Sequence, residues 1–181
     1  MTGTVYWITG LSGAGKSTIA HILARRLRGT GRPVLELDGD VLRKIFSRES
    51  EHSADERHAL AISYAHLCRE VAAQEIDVVC ATVSMFHSVR RWNRANIPVY
   101  REIYLRVPMA ELERRDSKGI YAGYRRNETS NIVGLDLPAE LPDNADLIIE
   151  NHAGVSADAA ADLIWEKLVA PVVSSPDGHG R

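Results

Sequence analysis

One short segment constrains this chain more than any other: Gly10-Leu11-Ser12-Gly13-Ala14-Gly15-Lys16-Ser17-Thr18. Gly10, Gly15, Lys16 and Ser17 fit the spacing G-x-x-x-x-G-K-[ST], a loop whose backbone amides cradle phosphate. Gly13 and Gly15 let N–H groups turn inward, in conformations that a side chain obstructs. Ser12, Ala14 and Thr18 complete the cradle. Lys16 neutralises the β- and γ-phosphates, and the Ser17 hydroxyl is placed for Mg²⁺. The context fits. Residues 4–9 read as a buried strand, and 19–27 as an amphipathic helix whose positive end points at the anion. A strand, a turn and a helix holding a triphosphate, ATP with Mg²⁺, are therefore expected here.

The rest of the chain alternates strand and helix patterns, which predicts an α/β fold: a parallel sheet with helices on both faces, a three-layer sandwich. Strands are expected at 4–9, 34–37, 76–83, 100–107 and 145–150. Helices are expected at 41–46, from the capping-box residue Ser53 to 73, at 87–96, from Pro108 to 115, and at 156–169. Between 116 and 142 the pattern weakens and glycines and prolines punctuate it. Inside a compact domain such a stretch is usually a lid or binding loop. We expect a single domain over 1–170 with a lid at about 116–142, and a disordered tail at 171–181.

Composition removes several function classes. With 22 Lys and Arg against 24 Asp and Glu, the formal charge of −2 gives no electrostatic case for a nucleic-acid or membrane partner. No apolar run reaches transmembrane length. Cys68 and Cys80 make neither a disulfide framework nor a zinc spacing and read as buried thiols. With no signal-peptide pattern ahead of the first strand, a cytoplasmic location is expected.

Ligands of open α/β sheets sit at the carboxyl ends of the strands. There the phosphate loop, Asp38-Gly39-Asp40, Ser84 and the basic lid converge. Asp-Gly-Asp is also ordinary turn chemistry. Beside a phosphate loop, however, phosphoryl transfer needs one carboxylate for Mg²⁺ and another for the acceptor hydroxyl. We assign Asp38 to the metal, with Ser17, and Asp40 to the hydroxyl, with the two roles exchangeable. Cations must also close over the γ-phosphate and exclude water. Arg115, Lys118, Arg125 and Arg126 are the candidates, and Arg43 could hold an anion of the acceptor. Trp7 reads as core. His21, His58 and His66 read as isolated surface or satisfied residues.

These pieces together resemble the adenylylsulfate kinase family. The resemblance rests on the phosphate loop, Asp38-Gly39-Asp40 with Arg43, Glu56-Arg57, the Ser84 strand end and Arg115-Asp116-Ser117-Lys118-Gly119-Ile120-Tyr121. It implies a P-loop kinase with a five-stranded parallel sheet, a lid and a homodimer. It also implies γ-phosphate transfer from ATP to the ribose 3′-hydroxyl of adenylylsulfate. Carried over residue by residue, the catalytic set is Asp38, Asp40, Lys16 and Lys118. Arg115 joins the ATP-binding set. The acceptor set is Asp40, Arg43, Arg57, Ser84, Met85, Lys118 and Ile132.

Departures fall on the acceptor side. An aromatic position becomes His52, an Asn and an Arg pair become Leu60, Ile62 and Ser63, and Phe-Thr-Gly becomes Ile132-Val133-Gly134. Ser-Pro becomes Ser84-Met85, and Pro-Tyr-Glu-x-Pro becomes Pro138-Ala139-Glu140-Leu141-Pro142. The two lost aromatics sandwich adenine in the family, and losing each costs on the order of 1–3 kcal/mol. Residues 78–84, Trp92-Asn93-Arg94 and 131–136 are similar to a cytidine diphosphoramidate kinase subgroup, which makes a cytidine diphosphate conjugate the rival acceptor. A regulatory domain that binds ATP without transferring phosphate is the alternative from another class. It would have no need of the Asp pair.

Overall fold

The strand that precedes the phosphate loop is the centre of the molecule. In the computed structural model, which describes residues 2–46, 53–116, 118–152 and 154–170, every residue of β1 (Val5–Thr9) is buried. It pairs in parallel with β3 (Asp77–Ala81) on one side and β4 (Tyr100–Arg106) on the other. With β2 (Val34–Asp38) and β5 (Leu147–Glu150) the five-stranded order is β2-β3-β1-β4-β5, all parallel. Strand alternation sends successive side chains to opposite faces. Tyr6, Ile8, Val79 and Leu105 pack on one face, and Val5, Trp7, Val78 and Cys80 on the other.

Each face is closed by helices whose apolar stripes match it. Helix α1 (Lys16–Gly29) puts Ile19, Ala20, Leu23, Ala24 and Leu27 into the first core, beside Ala160 and Ile164 of a late helix (Ala157–Ile164) and the π-helical turn Trp165–Val169. On the opposite face lie α2 (Gly39–Phe46), α3 (Ala54–Ala72) and α4 (His87–Asn96). They contribute Leu42, Tyr64, Ala65, Cys68 and Val89. The expected three-layer α/β sandwich with its parallel sheet is what the chain forms. The Ser53 capping box forms too: Glu56 N donates to Ser53 Oγ at 3.3 Å and Ser53 N donates to Glu56 Oε2 at 2.8 Å. Trp7, Cys68 and Cys80 are fully buried.

Most strand ends fall within one residue of expectation, and two differ by two residues, each where a side chain takes a ladder position. The third strand stops at Ala81 rather than 83, and the Val83 carbonyl accepts from the Thr9 hydroxyl at 2.8 Å. The fifth begins at Leu147 rather than 145, because the Glu102 amide donates to the Asp146 carboxylate at 2.7 Å. After α5 (Met109–Arg115) the lid holds a short helix, α6 (Ile120–Arg125), that the sequence pattern did not reveal. The Asp116 carboxylate organises it, accepting from Tyr121 N at 3.1 Å and Ala122 N at 2.8 Å. The late helix Ala157–Ile164 is α7. Among the described residues no helix is long and apolar enough to cross a membrane. Residues 47–52, His52 among them, and the expected tail at 171–181 lie outside the described residues.

Candidate active site

Helix α1 starts without a side-chain cap. Its N-cap is Gly15 at φ 88°, in the left-handed region. The first amides of a helix have no partner inside it, so here they are left for a ligand. A β-carbon at Gly15 would also stand 3.1 Å from Asn151 Nδ2. Gly10 is required for a different reason: a β-carbon there would lie 2.8 Å from the Leu105 carbonyl, where the loop crosses β4. Gly10 and buried Ala14 shape the loop from behind. Ser12, Gly13, Gly15, Lys16, Ser17 and Thr18 line a cleft of about 460 Å³.

Asn151 was not legible in the sequence. It follows β5, is 5% exposed, and donates Nδ2–H to the Ala14 carbonyl at 2.7 Å. Its only sequence signal is its place at a strand's carboxyl end. Tyr121 supports the loop from the lid side, donating its hydroxyl to the Ser12 carbonyl at 2.9 Å.

Across the cleft, β2 delivers Asp38 as its last residue and α2 delivers Asp40 in its first turn. Ser17 Oγ donates to Asp38 Oδ2 at 2.5 Å, and Asp38 Oδ1 accepts from Asp40 N at 2.8 Å. Asp38 is thus bonded to the loop, while Asp40 lines the same cleft and is bonded from the lid. Asp40 is half exposed. It pairs with Lys118 from the lid and stands 4.0 Å from Arg43. Burial raises its pKa, but the Lys118 hydrogen bond and the surrounding cations outweigh that and hold the carboxyl below its usual value. Lys16 folds back to donate to the Leu11 carbonyl at 2.8 Å. It keeps some solvent contact, yet the atoms crowded around its ammonium, with Lys118 adding repulsion, push its pKa down to about 8.

Two oxygen donors converge at Ser17 and Asp38. Mg²⁺ is bound through one or two protein oxygens plus substrate phosphates and water, and this donor set fits it. Among the described residues no group of three or more His, Cys, Asp or Glu could make a metal cage of protein side chains alone.

Beside the main cleft lies a smaller recess of about 40 Å³ that shares Arg43, Arg57, Thr82, Val83 and Val133 with it. Leu60, Tyr64, Ser84, Met85, Phe86 and Pro138 complete it. Ser84 Oγ lies 2.7 Å from Thr82 Oγ1. Arg57 donates to the Asn131 carbonyl at 2.8 Å, and burial together with Arg43 lowers its pKa. Ile132 and Val133 reach the main cleft. Ile132 is held by the Asp136 carboxylate, which accepts from its amide at 2.5 Å.

Of the basic side chains expected over the γ-phosphate, Lys118 is the one that lines the cleft among the described residues. Arg115 lies outside its wall. That guanidinium is engaged by Glu111 at 2.8 Å and the Asn151 carbonyl at 3.0 Å. Arg125 is paired with Glu113, and Arg126 with Glu128 at 2.7 Å. His21 lies 3.3 Å from Glu36, His58 Nε2 lies 2.7 Å from Ser88 Oγ, and His66 packs on Trp92.

A phosphate loop facing two carboxylates and a lid lysine is the equipment of a phosphotransferase. Comparison with known proteins agrees: residues 2–150 match the adenylylsulphate kinase family. The chain belongs to that family. An adenylyl-sulfate kinase of Paraburkholderia xenovorans is 38% identical over 149 residues, 82% of this chain and 83% of that protein. A cytidine diphosphoramidate kinase of Campylobacter jejuni is 34% identical over 164 residues, 91% of this chain and 95% of that protein. The structure of Mycobacterium tuberculosis APS kinase CysC, in complex with AMPPNP and APS, matches with a TM-score of 0.84 at 30% identity. That match covers 92% of this chain and 98% of the other. This member of the adenylylsulphate kinase family is accordingly an ATP-dependent kinase.

Proposed function

We propose that this kinase transfers the γ-phosphate of ATP to a ribose hydroxyl, the 3′ one, of a small nucleotide conjugate, with adenylylsulfate as the acceptor. The observation that carries the reading is the pair of contacts facing one cleft, Ser17 with Asp38 and Asp40 with Lys118. The α1 amides and Lys16 hold the triphosphate. Ser17 and Asp38 would hold Mg²⁺, which when bound neutralises charge on the β- and γ-oxygens. Asp40 accepts the acceptor's hydroxyl proton as its oxygen attacks the γ-phosphorus. The bond from phosphorus to the bridging β-oxygen breaks, and ADP leaves with the electron pair. In the free protein Lys118 neutralises Asp40. Moving its ammonium to the γ-phosphate strengthens the carboxylate as a base and excludes water from the phosphoryl group.

Arg43 and Arg57 stand where the two cavities join and suit the acceptor's anionic part. A second acceptor, a cytidine diphosphate conjugate, is favoured by one specific observation. The recess is small and walled by Leu60, Met85 and Phe86, and the lid contributes aliphatic Ile132 and Val133 beside it. A pyrimidine needs less room and less stacking than a purine. The relative from Campylobacter jejuni supports the same alternative. The deciding experiment measures ADP release from Mg-ATP with adenylylsulfate and with a cytidine diphosphate conjugate. Acceptor-stimulated turnover is expected. ATP binding without it would point to a regulatory domain instead, and faster turnover with the cytidine compound would reassign the acceptor.

A further inference from the structure

The lid reaches the sheet a second time, beyond the cleft, and the contacts there are unusual in kind. Helix α4 begins at His87 with Phe86 as its N-cap, and Phe86 supplies no side-chain hydrogen bond to the helix amides. A residue far downstream does so instead: the Glu140 carboxylate accepts from His87 N. The Glu140 amide in turn donates to the Met85 carbonyl at 3.2 Å. One lid residue thus clasps the chain on both sides of Phe86. Met85, Phe86 and Pro138, the last only two residues before Glu140, form part of the wall of the acceptor recess.

The stem that carries Glu140 is itself anchored. Arg90 on α4 is 4% exposed, donates to the Leu141 carbonyl at 3.3 Å, and stands 3.3 Å from Glu102, which is 2% exposed. Arg94, one turn on, binds the Asn144 carbonyl, Asp146 at 3.3 Å and Glu102 at 3.0 Å. A carboxylate buried in β4 therefore balances two arginines, and those arginines hold residues 141–146 against α4. Glu140, itself exposed, reaches from this fixed stem to the strand end.

We propose that Glu140 is a positioning residue for the acceptor, setting the place of the Met85–Phe86 wall through its clasp on α4. The proposal rests on the reading that the recess receives the acceptor. A carboxylate at a helix N-terminus satisfies an otherwise orphaned amide and interacts favourably with the helix dipole. Its removal frees His87 N and reduces the clasp to the Glu140 amide bond with the Met85 carbonyl. The ATP half of the cleft, on the other side of Asp38, shares none of these contacts.

The test compares Glu140→Ala and Glu140→Gln in the full chain, measuring KM for acceptor and for ATP separately, together with amide hydrogen exchange. In Glu140→Ala we expect the acceptor KM to rise about tenfold, what one charge-assisted bond supports, with the ATP KM within about twofold. Glutamine keeps an acceptor oxygen and should stay within about threefold of wild type. Exchange at the His87 amide should quicken by about tenfold in the alanine variant. Acceptor and ATP KM rising together, or an alanine variant equal to wild type in KM and in exchange, would overturn the proposal. If the wild type shows no acceptor-dependent turnover, the acceptor reading itself fails. The exchange result then judges the clasp alone: His87 protection that depends on Glu140 supports it, and protection that does not overturns it.

Discussion

Replacing Asp40 by asparagine separates the two jobs the cleft would have to perform. The substitution keeps the side chain's shape and removes its charge and its affinity for a proton. It should disturb the fold little. Asp40 is 49% exposed, its pairing with Lys118 is a surface one, and its amide is bonded to Asp38 Oδ1 at 2.8 Å whatever the side chain is. Exposed pairs of this kind contribute less than about 1 kcal/mol. A positioned general base contributes about 10²–10⁴-fold to rate. We therefore expect kcat to fall about a thousandfold, a barrier increase of about 4 kcal/mol. The α1 amides, Lys16 and Ser17 are untouched, so ATP affinity should change by less than about threefold. It should tighten if anything, because Lys118 loses its competing partner. The assay is acceptor-dependent ADP release, with ATP binding followed by calorimetry. A kcat within tenfold of wild type would show that the proton goes elsewhere. ATP affinity falling in parallel with kcat would assign Asp40 to the nucleotide and exchange its role with Asp38.

The remaining predictions address the loop and the acceptor. Because Lys16 is pushed down to about 8, its ammonium is lost in the free protein as pH rises through that value, whereas the triphosphate binds the charged form. ATP Kd should be flat below pH 8 and weaken by up to about tenfold per pH unit above it, with proton uptake visible by calorimetry in buffers of different ionisation enthalpy. A Kd flat to pH 9.5 would refute this. Asn151→Ala removes the bond to the Ala14 carbonyl and leaves a buried acceptor unpaired, so ATP affinity should fall about tenfold; an unchanged titration would deny it a role in the loop. Ile132→Phe restores an aromatic face beside the cleft and should improve kcat/KM for adenylylsulfate by about tenfold relative to a cytidine conjugate. An equal effect on both acceptors would place the base elsewhere.

Where the chemistry is local, the sequence was enough. The strand, loop and helix at 4–27 follow from glycine spacing and periodicity, and the Ser53 capping box follows from two residues three apart. Where the partner is distant, or several partners are in reach, it was not. Arg115, Lys118, Arg125 and Arg126 look alike in a row of letters. Glu111, Glu113 and Glu128 each take one of the arginines, and Lys118 is left beside Asp40. Helix α6 was hidden because six residues show no periodicity and its support comes from Asp116, outside the helix. Asn151 was hidden because its partner, the Ala14 carbonyl, lies 137 residues away.

The electrostatics of the cleft also limit what the acceptor can be. On the loop side, crowding and Lys118 depress Lys16. On the other side, burial and Arg43 depress Arg57. Lys118 and Arg43 thus oppose the charge of Lys16, and Arg43 that of Arg57, with Asp40 and Asp38 offsetting part of the repulsion at Lys16. Like charges held together cost stability unless an anion relieves them. In the proposed reaction the triphosphate would relieve Lys16 and Lys118, while Arg43 and Arg57, which line both cavities, would face the acceptor's anion. A neutral sugar would bring no charge to them. An acceptor with its own phosphate-linked anion would, and adenylylsulfate and a cytidine diphosphate conjugate both carry one. The arginine pair therefore favours either nucleotide conjugate over an uncharged alcohol, and the choice between the two falls to the apolar wall formed by Leu60, Met85 and Phe86.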